Sequence, residues 1–328
     1  MARKLGLVAL ASVAMLGLAR PAAAQSYPDR PVRLIVSIAA GSVTDVIMRA
    51  AANDIAPRLR QQLIIENRGG ASGILGAQAC AQSPPDGYTF CVIYHSTMSY
   101  NPLLFDHLPY NPETDFVPVA RLFFLIEGLF VSSALNVATV PELKSLAQGK
   151  PDALNFATLG EGSFPDLFLQ WLNNQWGTRI VGIAYKGGGP AAQALAANEV
   201  QVTRFGVGNF QGALQGGMVR ALAISADKRS SQMPDVPTFA EAGLQYPGQG
   251  WWGLAAAKGT PRPMIDRMNA EFMKTFSDAR FGEFLEKQFV VSAPTTPEGF
   301  AQFLIEDRKA AESLVRMAKT PRTQYKPD

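Results

Sequence analysis

Short apolar runs alternate with helix-length amphipathic segments along most of this chain. The runs RLIVSI (33–38), LIIEN (63–67) and YTFCVIY (88–94) read as strands, with helices expected over 44–60 and 73–82 between them. The middle repeats the pattern with LFVSS, LNFATL, GIAY, VQVTRF and ALAIS. Pro84-Pro85-Asp86-Gly87 marks a turn before a strand. The C-terminal part is more helical, with segments expected at 261–287 and 297–318, the first opened by Thr260 as cap and Pro261 in the first turn. Such alternation predicts an α/β protein with parallel or mixed sheets. Two long strand-like stretches, FVPVARLFF (116–124) and WWGLAAA (251–257), bracket the middle. If the chain crosses to a second unit in one and returns in the other, two lobes surround a cleft. The expected division is residues 25–125 with 248–328 as lobe one and 126–247 as lobe two.

The first 24 residues stand outside this pattern. Arg3 and Lys4 precede an apolar run from Leu5 to Leu18, and Ala22-Ala23-Ala24 precede Gln25. That is the layout of a cleaved export signal, and the run falls short of the roughly 20 residues that a membrane span needs. Export to the periplasm with cleavage near Ala24/Gln25 is expected. Removing it also changes the charge. The formal +3 comes from 30 basic and 27 acidic residues, and Arg3, Lys4 and Arg20 leave with the signal, so the mature chain balances. Without a basic surplus or basic runs there is no electrostatic case for nucleic acid. Cys80 and Cys91 could form a disulfide in an oxidising compartment or remain two buried thiols, and spacing does not decide between them.

Candidate chemistry gathers at two strand-to-helix turns. In IVSIAAGSVTDVIMR (35–49) the first strand runs into Ala39, Ala40, Gly41 and Ser42, and a helix begins near Thr44. Free N–H groups at a helix start and the helix dipole favour an anion there; an ordinary tight βα turn fits the same letters. NFATLGEGSFPDLFLQWL (155–172) repeats the arrangement with Thr158, Gly160, Gly162 and Ser163 before a helix from about Pro165. Facing each other from different lobes, the two turns would clamp a carboxylate. Arg204, closing an apolar strand before a glycine-rich loop, either holds a second carboxylate bidentately or is a paired surface arginine. YHSTMSYN (94–101) suits a polar cleft wall, with His95 and Ser96 as its candidates. Trp251 and Trp252 read as hinge or core aromatics. The glycines of VTRFGVGNFQG (202–212), with Asp227 beyond them, loosely resemble a dinucleotide-binding unit but lack its spacing. His95 and His107 are too few and wrongly spaced for a helical zinc pair, and no G-x-S-x-G elbow occurs. No metal, cofactor or catalysis is expected.

The segments YPDRPVRLIVSIAAGSVTD, IIENRGGASGILGAQACAQSPPDGYTF, YNPETDFVPVARL, YKGGGPAAQALAANEV, RALAISADKRSSQMPDVPTFAEAG and WWGLAAAKGTP, in this order, cover nearly the whole mature chain. They resemble the Bug family, the extracytoplasmic solute-binding proteins of tripartite tricarboxylate transporters. The resemblance implies a type II-like Venus-flytrap protein, expected as a monomer, that delivers a small organic carboxylate to membrane permease subunits. It implies that both turns hold a carboxylate through backbone amides and water, which assigns Ala39, Gly41, Ser42, Val43 and Asp45 to one side and Thr158, Gly160, Gly162 and Ser163 to the other. This chain departs from the family in having Gly41-Ser42 where paired glycines are usual and Asp166 where a histidine is common. Phe205 stands where an aspartate is frequent, after Arg204 where an apolar residue is. Those two exchanges favour a dicarboxylate or aromatic acid, with Arg204 and Phe205 reading its far end. An ABC-type amino-acid-binding protein is the rival binding class and a dinucleotide-dependent enzyme the rival outside it.

Overall fold

The computed structural model describes residues 27–150, 153–246 and 248–325; the expected export signal lies outside them. The first sheet contains β1 (Val32–Val36), β2 (Leu63–Asn67), β3 (Thr89–Tyr94), β4 (Phe116–Leu125), β10 (Trp251–Ala257) and β11 (Val290–Ser292), in the order β11-β4-β10-β3-β1-β2. The second contains β5 (Glu127–Ser132), β6 (Asn155–Thr158), β7 (Val181–Ala184), β8 (Val202–Gly206) and β9 (Val219–Ile224), in the order β7-β6-β8-β5-β9. Strands β1, β2 and β3 run parallel because helices connect them, whereas β10 is antiparallel to both β3 and β4. In the second sheet β6 pairs parallel with β7 and β8, and β5 antiparallel with β8 and β9.

The chain passes from the first sheet to the second across the single residue Ile126, and it returns between β9 and β10. The Ile126 N–H donates to the Phe289 carbonyl at 2.9 Å, and its own carbonyl accepts from Val207 N–H at 2.9 Å. This crossover is therefore tied to both lobes. Apolar packing is continuous as well: one cluster joins Val36, Ile47 and Trp252 of the first lobe to Ala191, Phe205 and Phe210 of the second.

Helices α1 (Val43–Leu59) and α2 (Ile74–Ala81) flank the first sheet. Short α3 (Asn101–Leu104) follows the π-turn at Ser96–Tyr100; α4 (Val140–Gly149), α5 (Phe164–Trp176), α6 (Gly188–Ala196) and α7 (Gln211–Gln215) belong with the second sheet. The expected single helix over 261–287 is two, α8 (Arg262–Phe276) and α9 (Ala279–Lys287). The break comes at Asp278, whose side chain accepts from Arg280 N–H and Phe281 N–H and so starts a new helix. Thr260 does not cap α8: its hydroxyl donates to the Ala257 carbonyl at 2.7 Å, and Pro261 occupies the cap. Helix α10 (Pro297–Ala318) reaches the second lobe at its end, where Asn174 Nδ2 donates to the Ala318 carbonyl at 2.7 Å. Cys80 on α2 and Cys91 on β3 are disulfide-bonded.

Candidate functional site

Both candidate turns share one construction, G-S-x-x-D, at 41–45 and 162–166. Gly41 has φ +79° and Gly162 φ +72°, the left-handed region that glycine enters without strain. Ser42 and Ser163 are the N-cap residues, both extended, with ψ 155° and 159°. The Gly41 N–H donates to Asp45 Oδ2 at 3.0 Å, and the Gly162 N–H to Asp166 Oδ2, also at 3.0 Å. Each aspartate thus reaches back one helical turn and locks the glycine before its helix. The first helical bonds run from Val46 N–H to the Ser42 carbonyl and from Leu167 N–H to the Ser163 carbonyl. The N–H groups of Val43, Thr44 and Asp45, and of Phe164 and Asp166, therefore lie outside the helical ladders.

Further bonds stiffen the second turn. Ser163 Oγ donates to the Gly160 carbonyl at 2.6 Å and accepts from Leu159 N–H at 3.2 Å, while Thr158 Oγ1 accepts from Gly160 N–H at 3.1 Å. Residues Ser42, Val43 and Thr44 at the start of α1, with Leu159 in the second turn and Pro165 at the start of α5, line one inner cavity between the lobes. Two helix N-termini from different lobes thus converge on the same space, of about 30 Å³. That volume holds about one water, so nothing larger enters unless the lobes part.

Direct contacts close the seam. Ala39 N–H donates to the Lys186 carbonyl at 3.0 Å, and Val43 N–H to Asn209 Oδ1 at 2.8 Å. Ser72 bridges to the second turn twice, from its N–H to the Leu159 carbonyl at 3.1 Å and from Oγ to the Glu161 carbonyl at 2.9 Å. Glycines permit this approach. A Cβ at Gly187 would stand 2.6 Å from Ser42 Oγ, and one at Gly208 would stand 2.6 Å from both Val43 Cγ2 and the Gln288 carbonyl. Gly208, just after β8, therefore serves lobe–lobe packing. The helix that follows it, α7, has only five residues, which argues against a dinucleotide site.

The expected residues divide by task. Ser42, Val43, His95 and Phe205 line the inner cavity, and Gly160 lines a separate, larger space of about 750 Å³ with Ser72, Glu161 and Lys186, the two sharing Leu159. Ala39, Gly41, Asp45, Thr158, Gly162 and Ser163 build the turns. Ser96 sits behind His95, with its Oγ 3.3 Å from Nδ1. Trp252 reaches the cavity and stacks on Tyr94 at 4.5 Å, whereas Trp251 packs against Phe300 and Phe303.

Arg204 requires a correction. It is 0% exposed and absent from the cavity lining. Successive residues of a strand face opposite sides, so Phe205 turns to the cavity while Arg204 turns into the core beneath α5. There it donates to Glu127 Oε2 at 2.7 Å, and its guanidinium lies over the rings of Phe164, Phe168, Phe239 and Tyr246. Neither role that its place in the sequence suggests, ligand clamp or surface arginine, describes it.

Sequence reasoning also assigned no role in the site to Glu127, Asn209, Ser72 and Asp166. A signal existed for Asp166, because G-S-x-x-D recurs letter for letter.

The two aspartates respond oppositely to their surroundings. Burial pushes the Asp45 carboxyl up, but bonds from Arg49, the Gly41 N–H and Asn67 outweigh it and hold Asp45 below the usual range. Burial raises Asp166, and the Gly162 N–H and Gln170 do not reverse the rise. Asp45 therefore adds stability above its unfolded pKa, lost as pH falls through its lower folded value. Charged Asp166 costs stability at neutral pH, a cost relieved as pH falls through its raised value. Near pH 7, Asp45→Asn should lose about 1–3 kcal/mol, and Asp166→Asn less than about 1 kcal/mol. Urea unfolding of both variants checks this, and equal losses would contradict it.

The sequence profile of the tripartite tricarboxylate transporter family receptor matches residues 47–319. The chain belongs to that family. A UPF0065 protein of Bordetella bronchiseptica is 33% identical over 307 residues, covering 93% of this chain and 90% of that protein. Among solved structures, the periplasmic binding protein BugD superposes with a TM-score of 0.86 at 27% identity, over 90% of this chain and 100% of that one. MatC from Rhodopseudomonas palustris, solved with bound malate, gives 0.82 at 32% identity, over 88% and 100%. The fold is the two-lobed α/β fold of periplasmic solute-binding proteins, and receptors of this family are solute-binding proteins. No helix among the described residues is long and apolar enough to cross a membrane.

Proposed function

We propose that this chain is exported to the periplasm, captures a small organic carboxylate between its lobes and hands it to the membrane subunits of a tripartite tricarboxylate-type uptake system. One observation carries the reading: two G-S-x-x-D turns, one per lobe, bring the starts of α1 and α5 to one cavity. A carboxylate there accepts from N–H groups left outside both ladders and lies in the favourable field of both dipoles. The ligand then holds the lobes together by bonding to each. MatC, a relative of the same fold, is known with malate, which supports the ligand class.

Of the far ends anticipated from sequence, an uncharged aromatic one suits the lining better than a second carboxylate. Tyr94, Phe205 and Trp252 line the cavity, and no Lys or Arg does among the described residues. No side-chain constellation here calls for catalysis.

A thermal-shift screen of mono-, di-, tri- and aromatic carboxylates, malate included, tests the proposal. A cognate acid at about 100 times its Kd should add about 2.7 kcal/mol of stability and be recovered unchanged by mass spectrometry. A screen in which no carboxylate raises the Tm, or recovery of a chemically altered acid, would overturn it.

A further inference from the structure

The inner cavity carries one acidic side chain that the two turns do not explain. Glu127 opens β5 directly after the crossover, is 4% exposed, and lines the cavity beside His95 and Phe205. Its backbone is pinned from both sides. The Glu127 N–H donates to Ser225 Oγ at 2.9 Å, and its carbonyl accepts from Ser225 N–H at 2.7 Å. The side chain therefore starts from a fixed point at the junction of the lobes.

Its two carboxylate oxygens differ. Oε2 accepts from Arg204 Nη2 at 2.7 Å, whereas Oε1 has no hydrogen-bond partner among the described residues. A Cβ on Gly250 would stand 3.0 Å from Glu127 Oε1 and 3.3 Å from His95 Nε2. The two polar atoms thus converge over bare backbone, in space that any larger residue at 250 would fill.

Among the described residues no lysine or arginine lines this cavity. Arg204 is fully buried and enclosed by four rings, so it neutralises Glu127 from behind without reaching the cavity. Burial, with the charge of Arg204, pushes His95 down to about 3, so its imidazole is neutral near pH 7.

We infer that Glu127 reads the end of the ligand remote from the helix N-termini, selecting carboxylates whose far end bears a hydrogen-bond donor, hydroxyl or amino, over those ending in methyl or a second carboxylate. The inference rests on the two turns holding the first carboxylate. A donor satisfies Oε1 once the lobes close and exclude water. A methyl group leaves that oxygen desolvated and unpaired, and a site built to bond a polar group discriminates strongly against the analogue that lacks it. A second carboxylate brings Oε1 no donor and carries its own charge into a space with no cation to pair it.

The test is calorimetric binding of two matched series that differ only at the far end. One is γ-aminobutyrate, γ-hydroxybutyrate, pentanoate and glutarate; the other is p-aminobenzoate, p-hydroxybenzoate, p-toluate and terephthalate. In at least one series, wild type should bind a donor-ended acid about 10-fold or more tighter than its methyl- and carboxylate-ended partners. Glu127→Gln alone strands the buried Arg204 charge and risks misfolding. The double variant Glu127→Leu, Arg204→Met removes both charges and the acceptor oxygen while keeping the volume filled, and in it the preference should shrink to within about 3-fold. Methyl- or carboxylate-ended acids binding as tightly as donor-ended ones in wild type would overturn the inference, as would a preference that survives the double variant. Failure of both series while another carboxylate of the broader screen binds would sink this inference alone. Failure of every carboxylate would remove the proposed function with it.

Discussion

Arg204→Ala should destabilise the protein by about 3–5 kcal/mol, the usual cost of stranding one member of a buried ion pair. Glu127 would keep its carboxylate at a site where burial already raises its pKa and only Arg204 opposes the rise. The four rings around the guanidinium would also face an emptied volume. For a chain of this size the Tm should fall by about 6–15 °C, as read by calorimetry without ligand. The double variant Glu127→Leu, Arg204→Met should recover most of that loss, since a buried pair replaced whole by hydrophobic residues is often neutral. A surface or ligand-reading arginine, as the sequence alone suggested, would leave the unliganded Tm nearly unchanged, so the measurement separates the readings.

Removing the disulfide has the next largest expected effect. Cys80 and Cys91 are 11 residues apart, and both are fully buried. A cross-link closing a loop of this size contributes about 3 kcal/mol, chiefly by restricting the unfolded chain. The double Cys80→Ala, Cys91→Ala variant should lose about that much in urea unfolding, and a loss under about 1 kcal/mol would mean that the bond is incidental to stability. The bond fastens α2 to β3, the strand that runs into Tyr94 and His95 on the cavity wall. It therefore steadies that wall from behind.

Much of this protein is legible in its letters because the information is local. Strand and helix periods predicted the alternating elements, and α10 (Pro297–Ala318) occupies the span its pattern predicts. Glycine, serine and aspartate at the turn of β1 into α1 specify a tight helix start whatever surrounds them. The collinear family segments supplied the two-lobed fold. The joint over 276–279 was less legible, because the polar Ser277-Asp278 pair fits a continuing helix until its capping bonds are seen.

What only the tertiary structure decided is which side of an element each residue faces and what it meets there. Arg204 and Phe205 are adjacent letters, and both were candidates for the site. Strand alternation sends them to opposite faces, and only the packed sheet tells which face is the cavity. Glu127 is one acidic residue among 27 in the sequence. It matters because a crossover one residue earlier sets it beside Arg204, 77 positions away. The glycines at 187 and 208 read as loop or motif glycines, yet their reason is the other lobe pressed against them. Local propensity is written in consecutive residues. Charge pairing, burial and close approach join distant ones, and only folding brings those together.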